Sequence, residues 1–117
     1  MKRKILIVED NIGLSQMQKD WLSQAGYDAV TAMNETIARS LIRRTQFDLI
    51  LSDVRLPEGD GISLLEWLRK EKKDIPFIIT TEYVSVPDVV RTIKLGARDY
   101  LPKPVHREHL LELAEDV

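Results

Sequence analysis

The chain has 117 residues, 44% hydrophobic and 31% charged, with a formal net charge of -2 and no cysteine. That length holds one domain with a real core and is short for two. Disulfides, zinc–thiolate sites and thiol nucleophiles are excluded, and scattered basic residues argue against a nucleic-acid surface.

The start, Met1-Lys2-Arg3-Lys4, looks like the basic end of an export signal, but the apolar stretch behind it stops at Glu9. That is too short for export, and no run reaches membrane-spanning length. The expected location is the cytoplasm, with no membrane partner.

Strand-like and helix-like segments then alternate. Strands are predicted at Lys4–Val8, Asp28–Thr31, Leu49–Ser52, Phe77–Thr80 and Asp99–Leu101. The first helix carries Leu14, Met17, Trp21, Leu22 and Ala25 on one face, with Gly26 as a stop. Asn34 can cap a second helix with Ile37, Ala38, Leu41 and Ile42 as its stripe. A third starts near Asp60 and carries Leu64, Leu65 and Leu68. A fourth carries Val86, Val89, Val90 and Ile93 and ends at Gly96, and a fifth carries Leu110, Leu111, Ala114 and Val117. Pro57-Glu58-Gly59-Asp60-Gly61 reads as a turn. Five βα units predict an α/β fold, a parallel sheet between helical layers. Ligands on such sheets sit beyond the carboxyl ends of the strands.

Chemistry-bearing residues collect at that rim. Glu9 and Asp10 close the first strand, Asp53 the third, Thr81 the fourth, and Lys103 follows the fifth. Three acids converging there call for a hard cation such as magnesium, or manganese in its place. Asp53 can serve as nucleophile, Asp10, Asp53 and the backbone carbonyl of Arg55 as cation ligands, and Lys103 and Thr81 as partners of a phosphoryl group. Each residue alone has a plainer reading. The acidic pair could cap a helix, Asp53 could form a turn, and Thr81 could cap a strand end. Lys103 could be a solvated loop residue, and Tyr100 core with a wet hydroxyl.

The conjunction resembles the receiver domains of two-component response regulators. The matching stretches are Ile5-Leu6-Ile7-Val8-Glu9-Asp10-Asn11, Asp48 to Pro57 with Gly59-Asp60-Gly61, Thr81, and Gly96 to Pro104. The resemblance covers the whole chain. It implies a flavodoxin-like (βα)5 fold with strand order 2-1-3-4-5. It implies that Asp53 accepts phosphate from a histidine kinase or a histidine phosphotransfer protein. It also implies that Thr81 then moves toward the phosphate while Tyr100 turns inward, and that the Lys103–Pro104 bond is cis. The fourth helix, fifth strand and fifth helix would form the output surface, where Arg91, Lys94, Arg98 and Asp99 could make a symmetric dimer contact. An effector, most often transcriptional, would lie beyond residue 117; Ser52-Asp53-Val54-Arg55-Leu56-Pro57 is similar to regulators of the enhancer-binding type.

Departures from the family pattern modulate this reading. Glu82, where a small residue is usual, could repel a phosphodonor. Tyr83 could shield the acyl phosphate from water, and the Arg55 side chain could reach its oxygens, so slow self-dephosphorylation is expected. Glu9 in place of the usual Asp should hold the metal through water. The domain is read as a regulatory switch, not an enzyme. The alternatives are a phosphorylation-independent interaction module of the same fold, a nucleotide or flavin enzyme disfavoured by its acidic first loop, and a phosphatase lacking the second acid it needs at Arg55. His106 and His109, Trp21 and Trp67, and Lys70 to Asp74 are read as solvated or packing residues.

Overall fold

The computed structural model describes residues 2–117; Met1, which opens the basic start, lies outside the described residues. In chain order the elements are β1 (Lys4–Val8), α1 (Ile12–Gln24), β2 (Asp28–Ala32), α2 (Glu35–Arg44), β3 (Leu49–Asp53), α3 (Gly61–Lys70), β4 (Phe77–Thr81), α4 (Val86–Lys94), β5 (Asp99–Pro102) and α5 (Arg107–Glu115). The five strands form one parallel sheet ordered β2-β1-β3-β4-β5; the alternation of elements predicts the parallel sheet, and the family resemblance implies its flavodoxin-like order.

The apolar run of β1 shows why the sheet is central. Successive strand side chains point to opposite faces. Ile5 and Ile7 join Leu22 of α1 with Leu110 and Ala114 of α5. Leu6 and Val8 join Ala38 and Ile42 of α2 with Leu64, Leu65 and Leu68 of α3. A strand covered on both faces has to be apolar at every position. Because the chain moves from β1 outward to β2 and then back past β1 to β3, the order in which strands are added reverses between β1 and β3, while all strands stay parallel. Glu9, Asp10 and Asp53 lie at the carboxyl ends of these two strands.

Four strands run one residue further than the hydrophobic pattern predicts. Pairing continues into Ala32, Asp53, Thr81 and Pro102, through Val8 with Ala32, Asp53 with Thr80 and Thr81 with Pro102. Backbone pairing does not depend on side-chain polarity, so the apolar run ends before the ladder does. The consequence is functional: Asp53 and Thr81 stand on the rigid sheet instead of in the loops after it.

The predicted turn at residues 57–61 is more ordered than a turn. Arg55–Leu56 pairs antiparallel with Gly59–Asp60 as a two-residue ribbon, with Glu58 at φ 55 and Gly59 at φ 137. Asn34 caps α2 as predicted, accepting from the Ile37 N–H at 2.8 Å.

Two helices contradict their apolar stripes. On α4, Val86 and Ile93 are 72% and 65% exposed, and the side chain fully buried is Thr92. On α1, Ser15, Gln18 and Leu22 face inward while Met17 is exposed. On α4 the apolar stripe is rotated away from the sheet; on α1 it is turned only partly away, with Leu22 buried and Trp21 packed against the core. Burial is possible because the inward polar groups find local acceptors: the Thr92 hydroxyl donates to the Val89 carbonyl at 2.9 Å, and the Ser15 hydroxyl to that of Ile12 at 3.1 Å.

Candidate functional site

β1 ends at Val8, so Glu9 leaves the sheet already buried, beneath the loop that opens α1. The acids do not cap that helix. Asn11 does, accepting the Leu14 N–H at 2.9 Å, while Glu9 accepts the Asn11 N–H at 3.1 Å. Asp53, the last residue of β3, is buried, and Asp10 is exposed. Carboxylate oxygens of Glu9, Asp10 and Asp53 lie within 4.8 Å of one another, the one group of acids or histidines among the described residues close enough to share a cation. His106 and His109 are exposed and belong to no such group.

Lys103 reaches into this cluster from the end of β5. Its Nζ lies 2.7 Å from Glu9 Oε1 and 2.9 Å from Asp53 Oδ2, so it is not the solvated loop residue of the plain reading. Burial is the largest influence on Lys103 and opposes its charge. Hydrogen bonds and Coulombic attraction to Glu9 and Asp53 together outweigh it and hold the ammonium above its ordinary value. Burial likewise dominates at Glu9 and lifts its carboxyl, against the hydrogen bonds from Lys103 and Asn11. Three carboxylates against one ammonium leave an excess of two negative charges when all are ionised. The donors are oxygens only, and Asp10 opens the cluster to solvent. The residues therefore fit a hard divalent cation.

Asp53 keeps one oxygen largely free. Oδ2 takes the Lys103 ammonium, while Oδ1 has only a long contact, 3.4 Å, from the Arg55 N–H. Thr81 follows on the next strand. Its hydroxyl is closed into a local turn, donating to the Tyr83 carbonyl at 3.0 Å and accepting from the Tyr83 N–H at 3.1 Å. The plain reading of Thr81 thus describes the conformation seen. Tyr100 is half-buried, packed against the core, and its hydroxyl accepts from the Ser85 N–H at 3.5 Å, where Ser85 caps α4. The Lys103–Pro104 bond is cis.

The modulating residues line the rim. The Arg55 guanidinium lies 4.9 Å from the centre of the Tyr83 ring, a cation–π stack between two exposed side chains that sequence reading treated separately. Glu82 is exposed, bordering a notch with Leu14, Met17 and Lys103. Of the proposed dimer charges, Arg91 is already paired within the chain, to Glu66 of α3 at 2.9 Å. Sequence reading missed Glu35, a buried acid whose carboxylate accepts from Asp60 and Ser63 in the segment after Asp53. Only its place at the start of α2 was visible, and that position suggests a helix-dipole charge.

Known proteins resemble this chain in sequence and fold. The family model described as the response regulator receiver domain matches residues 5–115. Among curated relatives, the response regulator protein PilR of Pseudomonas aeruginosa is 35% identical over 112 residues, covering 96% of this chain and 25% of that protein. The transcriptional regulatory protein ZraR of Salmonella typhimurium is 36% identical over 114 residues, covering 97% and 26%. The chain thus spans about a quarter of the length of these regulators. Among solved structures, a CheY-like response regulator receiver domain protein from Methanospirillum hungatei JF-1 superposes with a TM-score of 0.95 at 31% identity, covering 99% of this chain and 93% of that one. The non-phosphorylated HemR receiver domain from Leptospira biflexa gives 0.90 at 37%, covering 98% and 93%. With its sheet order, its acidic cluster and these matches taken together, the chain belongs to the response regulator receiver domain family.

Proposed function

We propose that this domain takes a phosphoryl group onto Asp53 from a phosphohistidine of a histidine kinase or phosphotransfer protein, and thereby switches an output surface that controls a transcriptional effector. The observation that carries this reading is the geometry around Asp53: one oxygen held by Lys103, the other left free, and two further acids beside it. Glu9, Asp10, Asp53 and the Arg55 carbonyl would hold a magnesium or manganese ion, Glu9 through water. When bound, that ion offsets negative charge on the transferring group. Asp53 Oδ1 attacks phosphorus, the bond to the donor nitrogen breaks, and the phosphoryl group remains on Asp53 as an acyl phosphate. Lys103, held charged, pairs with a phosphoryl oxygen as a point charge, and the Glu82 N–H is a further donor.

The switch follows from what Thr81 gives up and gains. Phosphorylation adds roughly -1.5 to -2 charge and new acceptor oxygens. Thr81 can leave its turn with Tyr83, losing two hydrogen bonds of about 0.5–1.5 kcal/mol each, for one to a charged acceptor of about 1.5–3 kcal/mol. The two states are therefore close in energy, as a switch requires. Tyr100 moves into the space that Thr81 vacates and releases Ser85, at the start of α4. The Arg55–Tyr83 stack shields the acyl phosphate and slows its loss, and the surface of α4, β5 and α5 is where a second copy docks.

Acetyl phosphate with magnesium, followed by intact mass, tests the reading. The parent gains one phosphoryl mass and Asp53→Asn gains none. An unlabelled parent leaves an interaction module that needs no phosphate; a labelled Asp53→Asn places the acceptor elsewhere. Timing the decay after removal of the donor reads the stack: Tyr83→Ala loses phosphate faster, and unchanged or slower decay removes Tyr83 from the account.

A further inference from the structure

Glu35 is a buried acid that stands outside the Glu9–Asp10–Asp53 cluster. It is the first residue of α2, and its side chain is 8% exposed. Its Oε1 accepts the Asp60 N–H at 3.1 Å; its Oε2 accepts the Ser63 hydroxyl at 3.3 Å and pairs with the Arg39 guanidinium. Arg39 in turn lies over the Trp67 ring of α3, 5.1 Å from its centre. A buried carboxylate is costly unless its oxygens are satisfied. Here two of the three donors come from the segment that follows Asp53.

That segment is tied to Asp53 at close range. The Gly61 N–H donates to the Val54 carbonyl at 2.8 Å. A methyl group on Gly61 would collide with the carbonyl of Asp53 and lie 2.9 Å from the Ser52 hydroxyl. Asp60 caps α3, accepting the Ser63 N–H at 2.6 Å. Gly59, at φ 137, lies against Glu35 so closely that a side chain there would overlap the carboxylate. Chain position thus passes from Glu35 to Asp60, from Asp60 to Gly61, and from Gly61 to the backbone of Asp53 and Val54.

We infer that Glu35 is a positioning residue for the phosphoacceptor site: it pins the Gly59–Asp60 arm of the ribbon from α2 and so sets the backbone of residues 53–55, which carries the Asp53 side chain and the Arg55 carbonyl. This rests on the phosphoacceptor reading of Asp53. Groups that orient metal ligands typically change metal affinity by about 10–100-fold when removed, and that readout separates positioning from mere stability.

The test titrates the 117-residue chain with magnesium chloride alone by calorimetry and measures labelling by acetyl phosphate, at a temperature where circular dichroism shows each protein folded. Glu35→Ala raises the magnesium Kd about tenfold and slows labelling. Glu35→Gln, which keeps an acceptor for the Asp60 N–H, restores most of the affinity. Gly59→Ala, whose methyl would overlap the Glu35 carboxylate and displace the same arm, behaves like Glu35→Ala. Ile78→Val, a core change away from the ribbon, lowers Tm and leaves the Kd unchanged. A parental Kd in Glu35→Ala, or an equal loss in Ile78→Val, overturns the inference; should Glu35→Ala fail to fold, a parental Kd in Gly59→Ala does so. A parent that neither binds magnesium nor labels defeats the phosphoacceptor reading instead.

Discussion

Helices α3 and α4 are neighbours of nearly equal length, and each carries apolar residues at helical spacing. They are held in opposite ways. α3 buries Ile62, Leu64, Leu65 and Leu68 against the sheet, whereas α4 buries Thr92 and leaves Val86, Val90 and Ile93 in solvent. Polar ties reach α4 and its ends: Glu66 to Arg91, Arg69 to the carbonyls of Leu95 and Gly96, and the long contact from Ser85 to Tyr100. Apolar burial is lost whole when a helix moves, while exposed polar ties exchange with water at small cost. Moving elements come from the weakly held end of a structure, and α4 begins five residues after Thr81 in the chain, with Ser85 as its cap.

The largest expected effect tests that contrast directly. Leu68→Ala should cost about 2–5 kcal/mol, as truncation of a fully buried leucine does. Ile93→Ala, at a surface position, should change stability by no more than about 0.5 kcal/mol. Urea unfolding midpoints measure both. Similar losses would mean that α4 is packed as firmly as α3 and would remove the reason for assigning it the motion.

Arg69 sharpens the comparison at the next level. Its guanidinium donates to four carbonyls: Leu95 at 2.8 Å and Gly96 at 3.0 Å beyond α4, and Lys73 at 2.9 Å and Ile75 at 3.2 Å beyond α3. Each hydrogen bond is worth a net of about 0.5–1.5 kcal/mol, and carbonyls this near the surface regain water once the guanidinium is gone, so Arg69→Ala should cost about 1–3 kcal/mol, less than the sum over four bonds. Amide hydrogen exchange should speed most over the last turn of α4 and little over the first turns of α3. A uniform loss of protection would show that Arg69 supports the whole domain and not the end of one helix.

The part of this design legible in the sequence is the part that apolar burial specifies. The runs of β1, β3 and β4 announced central parallel strands, and with them the rim where Glu9, Asp53 and Thr81 converge. Lys103 required the order of elements as well, since its partners lie 94 and 50 residues away in the chain. What pattern could not show is rotation. Periodicity says that Val86, Val90 and Ile93 share a face, but which way the face points depends on Thr92 satisfying its hydroxyl within its own helix. Glu35 was hidden for a related reason. A lone acid at a helix start is common, and its role is defined by donors 25 and 28 residues distant, which only the folded ribbon supplies.

The smallest effect concerns the pair that joins the two helices. Glu66 lies 2.9 Å from Arg91, both in solvent. The Arg91 hydrogen bond, then the charges of Lys70 and Arg91, hold the Glu66 carboxyl below its ordinary value of 4.5. The sign follows by linkage: a carboxyl depressed in the folded state adds stability that is complete above its unfolded value and is lost as pH falls through the folded value. The shift of Arg91 runs upward, owed first to the Glu66 hydrogen bond, and plays no part in that window. Parent and Glu66→Gln should therefore differ slightly in unfolding midpoint at neutral pH, converge on acidification below 4.5, and converge again at neutral pH in high salt, where exposed charges are screened. A difference that persisted through acid and salt would mean that α3 and α4 are joined at this point by packing, so that displacing α4 would cost apolar contact as well as charge.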